Sequence, residues 1–422
     1  MDYKPKYLKY KQKYLNLLKH QKGGEPFLID LQAKQAYLWL FAKNQRQIDF
    51  IFTGRSIRPT PPLGNIRLND QQHRLSLLVK GSLPILLAFR LVGPGNQRLA
   101  KCIMSRLHIV PPISPLTCIA SIQGHTDIVN SVAFHPTLPI LATGSRDGTI
   151  KLWNCSNAQN PFTLVANLIK HTDSVTSVAF HPTLPLLATG SFDCTVKLWD
   201  CSRNPTCIAT MQNPRSITSV AFHSILPLLA SGSTDNTFKL WNYSTSENPT
   251  LVATIPAHIG TVYSVAFHPT LPLLASGSAD NTVKIWNCSN TQNPPTLITT
   301  IRHINSVWSV AFHSTLPLLA SGSWDGIVKL WDCSSAQNPP TLITSIRHIS
   351  CVKSLAFHPT LSLLASGSLY GTITLWDYSD AQNPILVANL RDHASPITSV
   401  AFHLTLPLLA SSSHDNTVKL WQ

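Results

Sequence analysis

The sequence predicts an all-β protein, a seven-bladed β-propeller carried behind a basic N-terminal extension. Three observations predict it. From residue 124 onward a block reading SVAFHPTLPxLATGSxDxTxKLW recurs seven times. Each copy ends on a tryptophan, at Trp153, Trp199, Trp241, Trp286, Trp331, Trp376 and Trp421, with intervals of 46, 42, 45, 45, 45 and 45 residues. Each copy also divides into four short runs of strand-forming residues separated by turn signals. A period of this length means stacked units, none of which can bury its apolar faces alone.

The first repeat shows the elements in order. Residues 128–134 read as a strand, and Pro136 and Pro139 in the following turn would interrupt a ladder. Residues 140–145 read as a second strand, and Arg146-Asp147-Gly148 is a tight-turn signal of the Asp-Gly type. Residues 149–153 form a third strand and, after a polar loop ending in Asn160-Pro161, residues 163–169 a fourth. Four antiparallel strands repeated seven times fit radial blades around a channel. The seventh repeat has only three such runs before Gln422, while residues 116–122 (LTCIASI) match fourth strands such as 250–255. The propeller is therefore expected to span 113–422 and to close by pairing 116–122 with 416–421, which removes exposed sheet edges.

Gly124-His125 before the first strand, Asp147 in the second turn and Trp153-Asn154 at the end of the third resemble the WD-repeat family, over about residues 116–422. The resemblance implies a buried hydrogen-bonded set of His, Ser or Thr, Asp and Trp in each blade. Here the sets read His125, Thr143, Asp147, Trp153 and His171, Thr189, Asp193, Trp199 in the first two repeats. The fourth, fifth and seventh supply His258, Ser276, Asp280, Trp286; His303, Ser321, Asp325, Trp331; and His393, Ser411, Asp415, Trp421. The third keeps Asp235 and Trp241 but has Asn213 for the His. The sixth keeps His348 and Trp376 but has Tyr370 for the Asp. Those two blades are expected to be looser, by roughly 1–3 kcal/mol for each unsatisfied buried group.

The resemblance further implies a non-enzymatic platform that holds other proteins on the face built by the His- and Asp-bearing turns. Differences between near-identical repeats then point to the contact residues. Before the turn Asp stand Arg146, Phe192, Thr234, Ala279, Trp324, Leu369 and His414. Four residues before the strand phenylalanine stand Asn130, Thr176, Thr218, Tyr263, Trp308, Lys353 and Thr398. The large side chains Tyr263, Trp308, Trp324, Lys353, Leu369 and Tyr370 fall in the fourth to sixth repeats, with Phe192 in the second. Aromatic anchors beside a cation are typical of binding hot spots. The alternative is that Tyr263 and Trp308 pack between blades.

Other recurring residues carry duller readings. A His-Ser-Asp set present in five blades argues for scaffold chemistry, because a catalytic triad appears once, at a pocket. Seven histidines follow the strand phenylalanine (His135, His181, His223, His268, His313, His358, His403) and read as surface-turn residues. Spread around a wide disc, they cannot converge on one metal ion. Cys155, Cys201, Cys288 and Cys333 share their place with Tyr243 and Tyr378, which suits a half-buried packing position. No catalytic residue, metal, cofactor or small-molecule substrate is expected.

The chain has 422 residues, 44% hydrophobic, with a net charge of +14. Residues 1–112 hold 19 Lys/Arg against 5 Asp/Glu, whereas 113–422 hold 14 of each, so the arm is the candidate for an acidic partner. In residues 1–24, Tyr7, Tyr10, Tyr14 and Leu17 recur at helical spacing among seven lysines, and Gly23-Gly24 would end the helix. Such a leader can lie on an acidic membrane surface, bind nucleic acid or a partner groove, or stay solvated. It resembles a Lys/Tyr-rich leader on proteins of mimivirus-like giant viruses, which implies a viral origin. Residues 25–112 read as a small helical region. Within it 82–102 distantly resembles an F-box, which would make the protein a substrate receptor for a ubiquitin ligase. Nine cysteines without a C-x-x-C pair, no secretory signal and no apolar run of spanning length predict an intracellular, cytoplasmic protein.

Overall fold

The computed structural model describes residues 116–156, 162–289, 294–335 and 338–422, together with the backbone of five short upstream strands. The chain divides into two units, Met1–Ser114 and Pro115–Gln422. In the first, Ala36–Tyr37 pairs in parallel with Ile85–Leu86, and Phe41–Ala42, Gln47–Asp49 and Ile66–Arg67 form an antiparallel sheet. The leader 1–24, the rest of 25–112, and the F-box-like and giant-virus-like readings attached to them lie outside the described residues.

The second unit is a seven-bladed propeller. Each blade is a four-stranded antiparallel sheet. In blade 1 the strands are Val129–Phe134, Ile140–Ser145, Thr149–Asn154 and Thr163–Ile169, innermost first. Second strands such as Leu186–Ser191 are buried along their whole length, which is why LLATGS shows no apolar–polar alternation. Fourth strands such as Thr163–Ile169 are mostly exposed outer edges.

Blades cohere through what lies between them. Each of seven apolar clusters joins two neighbouring blades; one, for example, sets Ala188, Leu198 and Met211 of blade 2 against Ile217 and Val220 of blade 3. Close approach demands a glycine at the contact: a Cβ on Gly190 would lie 2.4 Å from Ile217 Cγ2. The serine of the SVAF run adds a polar tie. Ser131 Oγ accepts the Val178 N–H at 3.1 Å, and the same bond recurs from each blade to the next through Ser354 and Val400.

The closing strand begins two residues later and ends one later than the expected 116–122. Cys118–Gln123 is the fourth strand of blade 7, with Trp421 opposite Cys118, Leu420 opposite Ala120 and Thr417 opposite Gln123. Its register slips between Leu420 and Trp421, as fourth strands elsewhere slip at the same tryptophan. Thr117 and Gln422 exchange two further backbone bonds, at 3.0 and 3.1 Å. Ile122 packs with Val418 and Leu420 of blade 7 and Val129, Leu141 and Trp153 of blade 1.

Inside the blades, four of the expected sets are complete. In blade 1, His125 Nδ1 lies 2.9 Å from Asp147 Oδ2, His125 Nε2 2.7 Å from Thr143 Oγ1, and Trp153 Nε1 donates to Thr143 at 3.0 Å. A carboxylate only accepts, so Nδ1 carries the proton and Nε2 takes the threonine hydroxyl. Blades 2, 4 and 7 repeat this through His171, His258 and His393. In each, a threonine four residues before the tryptophan also donates its hydroxyl to the Asp at 2.6 Å. Burial alone would raise the Asp147 carboxyl; the bonds from His125 and Thr149 outweigh it and hold the group well below its ordinary range.

Blade 5, expected to be complete, is not. His303 Nε2 reaches Ser321 at 2.9 Å, but Nδ1 stands 4.0 Å from Asp325 and is buried without a partner. The cause is Ile327, which replaces the threonine and has no hydroxyl: it gives the Asp325 carboxylate its backbone N–H, at 2.8 Å, and nothing from its side chain. Blades 3 and 6 depart as expected. Asn213 leaves Oδ1 unbonded, and His348 keeps only the Ser350 N–H on Nδ1 while Nε2 has no partner. Ile327→Thr is therefore expected to draw Asp325 onto His303 and stabilise the propeller by about 1 kcal/mol. A urea midpoint unchanged or lowered in that variant would refute this account of blade 5.

The first-turn histidines correct a second expectation. They are not surface residues: six are buried and His358 is half-buried. His135 Nδ1 accepts the backbone N–H of Thr137 and Leu138 at 3.2 and 3.0 Å, and its ring meets Phe180 of the next blade edge-on at 5.0 Å. The pattern repeats around the disc, down to His403 against Phe134 across the closure. Each is a turn clamp and an interblade packing group at once.

Candidate functional site

The seven variable first-strand positions share one backbone feature. Each sits where the register between first and second strands slips, at Asn130, Thr176, Thr218, Tyr263, Trp308, Lys353 and Thr398. A bulge leaves one residue unpaired and re-aims its side chain. In four blades the side chain is polar and bonds a first-strand carbonyl of the next blade. Asn130 Nδ2 donates to Val175 O at 2.9 Å, Thr176 to Ile217 O at 2.8 Å and Thr398 to Val129 O at 2.5 Å, and Thr218 bonds Val262 O.

Blades 4 to 6 replace that ring of bonds with aromatic and cationic contacts. Tyr263 stacks on Trp308, ring centroids 4.5 Å apart and 13° from parallel; Trp308 stacks on Trp324 at 5.4 Å. Lys353 Nζ lies 4.8 Å from the centroid of the Trp308 ring. Tyr263, Trp308 and Lys353 are half-buried and Trp308 Nε1 has no partner. The packing reading holds for Tyr263 and Trp308, which stack from blade to blade, and Trp324 carries the stack to the surface. Leu369 is half-buried, whereas Phe192 is exposed on blade 2, away from the stack.

The exposed members of this face were only partly foreseen. Trp324 is 39% and Tyr370 75% exposed, while Ile259, Ile304 and Ile349 are 91%, 84% and 62% exposed. The three isoleucines follow the buried histidine of blades 4, 5 and 6. Ile259 and Ile304 donate their backbone N–H to Asp280 and Asp325, which fixes them beside the Asp turns. In the other blades the same position holds Thr126, Thr172, Pro214 and Ala394. Aligning the residue after the histidine would have found them. Isolated exposed apolar residues are ordinary; five on one face of three consecutive blades are not.

Charge is arranged on the same face. Burial pulls the Lys353 ammonium below its ordinary value. Burial, then the charges of Lys353 and Arg146, lower His414. Arg146 faces Asp127 at 3.8 Å.

The recurring polar sets offer no comparable site. The His258 side chain has no solvent exposure, and its bond to Ser276 at 2.8 Å ties together the strands of the blade. Cys155, Cys288 and Cys333 are more buried than expected, and burial pushes their thiols up to about 12. Tyr243 and Tyr378 occupy the same place, buried against Phe222 and Phe357. Among the described residues no group of three His, Cys, Asp or Glu could hold a metal ion, and no helix is long and apolar enough to cross a membrane.

Two known proteins match the chain over a short stretch. The nuclear distribution protein nudF of Aspergillus flavus and that of Aspergillus oryzae are each 52% identical over 40 residues, 10% of this chain and 9% of the relative. The matched stretch is about one blade long, so the chain spans under a tenth of those relatives. The model of the WD domain, G-beta repeat, matches far more: residues 116–154, 162–200, 205–242, 249–287, 295–332, 340–377 and 384–422. With seven matches, each taking the fourth strand of one blade and the first three of the next, the chain belongs to the WD-repeat family.

Proposed function

We propose that this protein is a non-enzymatic scaffold that captures a partner protein on the Asp-turn face of blades 4 to 6. The observation that carries the reading is the stack Tyr263–Trp308–Trp324 reaching the surface beside three exposed isoleucines. Apolar anchors presented by turns braced on a rigid sheet lose little freedom on binding, and anchors of this kind dominate interface energies. In blades 1 and 7 the residue before the turn Asp is Arg146 or His414, where blade 5 has Trp324. The buried polar sets support the same reading, since they hold the turns in place. An intracellular, cytoplasmic setting belongs to this proposal, on the strength of cysteine side chains kept as thiols.

Trp308→Ala together with Trp324→Ala is expected to reduce capture of cross-linked partner proteins at least tenfold, without lowering the cooperativity of thermal unfolding. The test compares, by quantitative mass spectrometry, what the two full-length chains retain. Equal recovery by a folded double variant would remove this face from consideration.

A further inference from the structure

The exposed crescent has one feature an apolar partner alone would not satisfy. Lys353 stands at its inner end, its ammonium against the Trp308 ring, with no carboxylate within ion-pair distance among the described residues. Blades 1, 2, 3 and 7 place Asn or Thr at this bulge and bond it to the next blade, so a lysine here serves no repeat-wide structural need. His414 feels both Lys353 and Arg146, and the Asp127 carboxylate is turned to Arg146. Of the five exposed apolar residues, the three isoleucines Ile259, Ile304 and Ile349 are aliphatic and offer neither a stacking face for a base nor a donor for a phosphate. That composition favours a peptide over a nucleic acid.

We propose that the partner's docking element is an acidic–apolar peptide segment: apolar side chains lie on Ile304, Ile349 and Trp324, and an Asp or Glu carboxylate pairs with Lys353. The inference rests on the scaffold reading and sharpens it. A half-buried ammonium already partly stripped of water, resting on an aromatic face, gains more from a carboxylate than an exposed lysine does. Apolar contact supplies adhesion; the lysine selects the sign of the partner's charge.

The test is a selection of random 12-residue displayed peptides on the full-length protein. The expected result is enrichment of peptides in which Asp or Glu neighbours aromatic or aliphatic residues. Selected peptides should bind Lys353→Met about tenfold more weakly, in a salt-dependent manner, and Lys353→Glu should select Lys or Arg in place of the acid. Enriched peptides without acidic residues, all lost on Ile304→Asp, would overturn the carboxylate inference and leave the scaffold reading standing. Peptides retained by both Ile304→Asp and Trp324→Ala would overturn both. So would peptides displaced by single-stranded DNA.

Discussion

Deleting residues 116–123 from the full-length chain is expected to open the ring and lower stability by several kcal/mol. The deletion removes the fourth strand of blade 7, whose ladder with Thr417–Trp421 runs from Trp421–Cys118 to Thr417–Gln123. It takes away Ile122, buried in the cluster that joins blade 7 to blade 1. Burying an isoleucine contributes about 1.5–3 kcal/mol. The third strand would then present a bare edge, with Val418 and Leu420 uncovered, which invites strand addition from another chain. Ile122→Ala alone isolates the packing share and is expected to cost about 2–4 kcal/mol. Urea denaturation of both variants reads the effect, and light scattering reads the exposed edge. Equal midpoints for the deletion and the parent would show that the ring does not depend on this strand. The effect should exceed that of a similar deletion in the fourth strand of blade 2, because only the closing strand joins the two ends of the propeller sequence.

How much of this was legible in sequence depends on the kind of fact. The blade count and the closing strand follow from periodicity, and the complete sets of blades 1, 2, 4 and 7 from the resemblance to the WD-repeat family. Strand limits were off by a residue or so because hydrogen bonding, not composition, ends a ladder. Blade 5 misled because the reading covered four positions, while the carboxylate is held by a fifth, where Ile327 replaces a threonine. The first-turn histidines misled for a related reason. A turn flanked by prolines reads as surface, yet each ring is covered by the phenylalanine of the next blade, about 45 residues on. Local pattern cannot show a contact of that range. The bulge that unites Asn130 with Tyr263, Trp308 and Lys353 was invisible for the same reason: the sequence shows that these positions vary, not that they stand outside the ladder.

Acid is expected to unfold this propeller before it reaches the carboxylate range. The buried histidines set the direction. Burial lowers His171, His258 and His393 despite their Asp partners, and lowers all seven first-turn histidines. His303 and His348, which have no bonded carboxylate, are pushed down to about 4. A folded value below the unfolded 6.5 means that the unfolded chain takes up the proton first. This contribution is therefore whole above pH 6.5 and is lost as pH falls from 6.5 towards 4. For His303 and His348 together, the loss by pH 4.5 is on the order of 5 kcal/mol, comparable to the whole stability of many domains. Asp193, Asp280 and Asp415 act further down. Burial would raise them, but bonds from threonine and histidine prevail and depress them, so their share is present above 3.8 and disappears below it. Urea midpoints should thus fall steeply between pH 6.5 and 4.5. Ile327→Thr should flatten the slope, because Asp325 drawn onto His303 raises that histidine back towards its unfolded value. A midpoint constant across this interval would mean that the histidine sets are protonated, or reached by water, in the folded propeller. The interblade packing would then have to hold the ring without them.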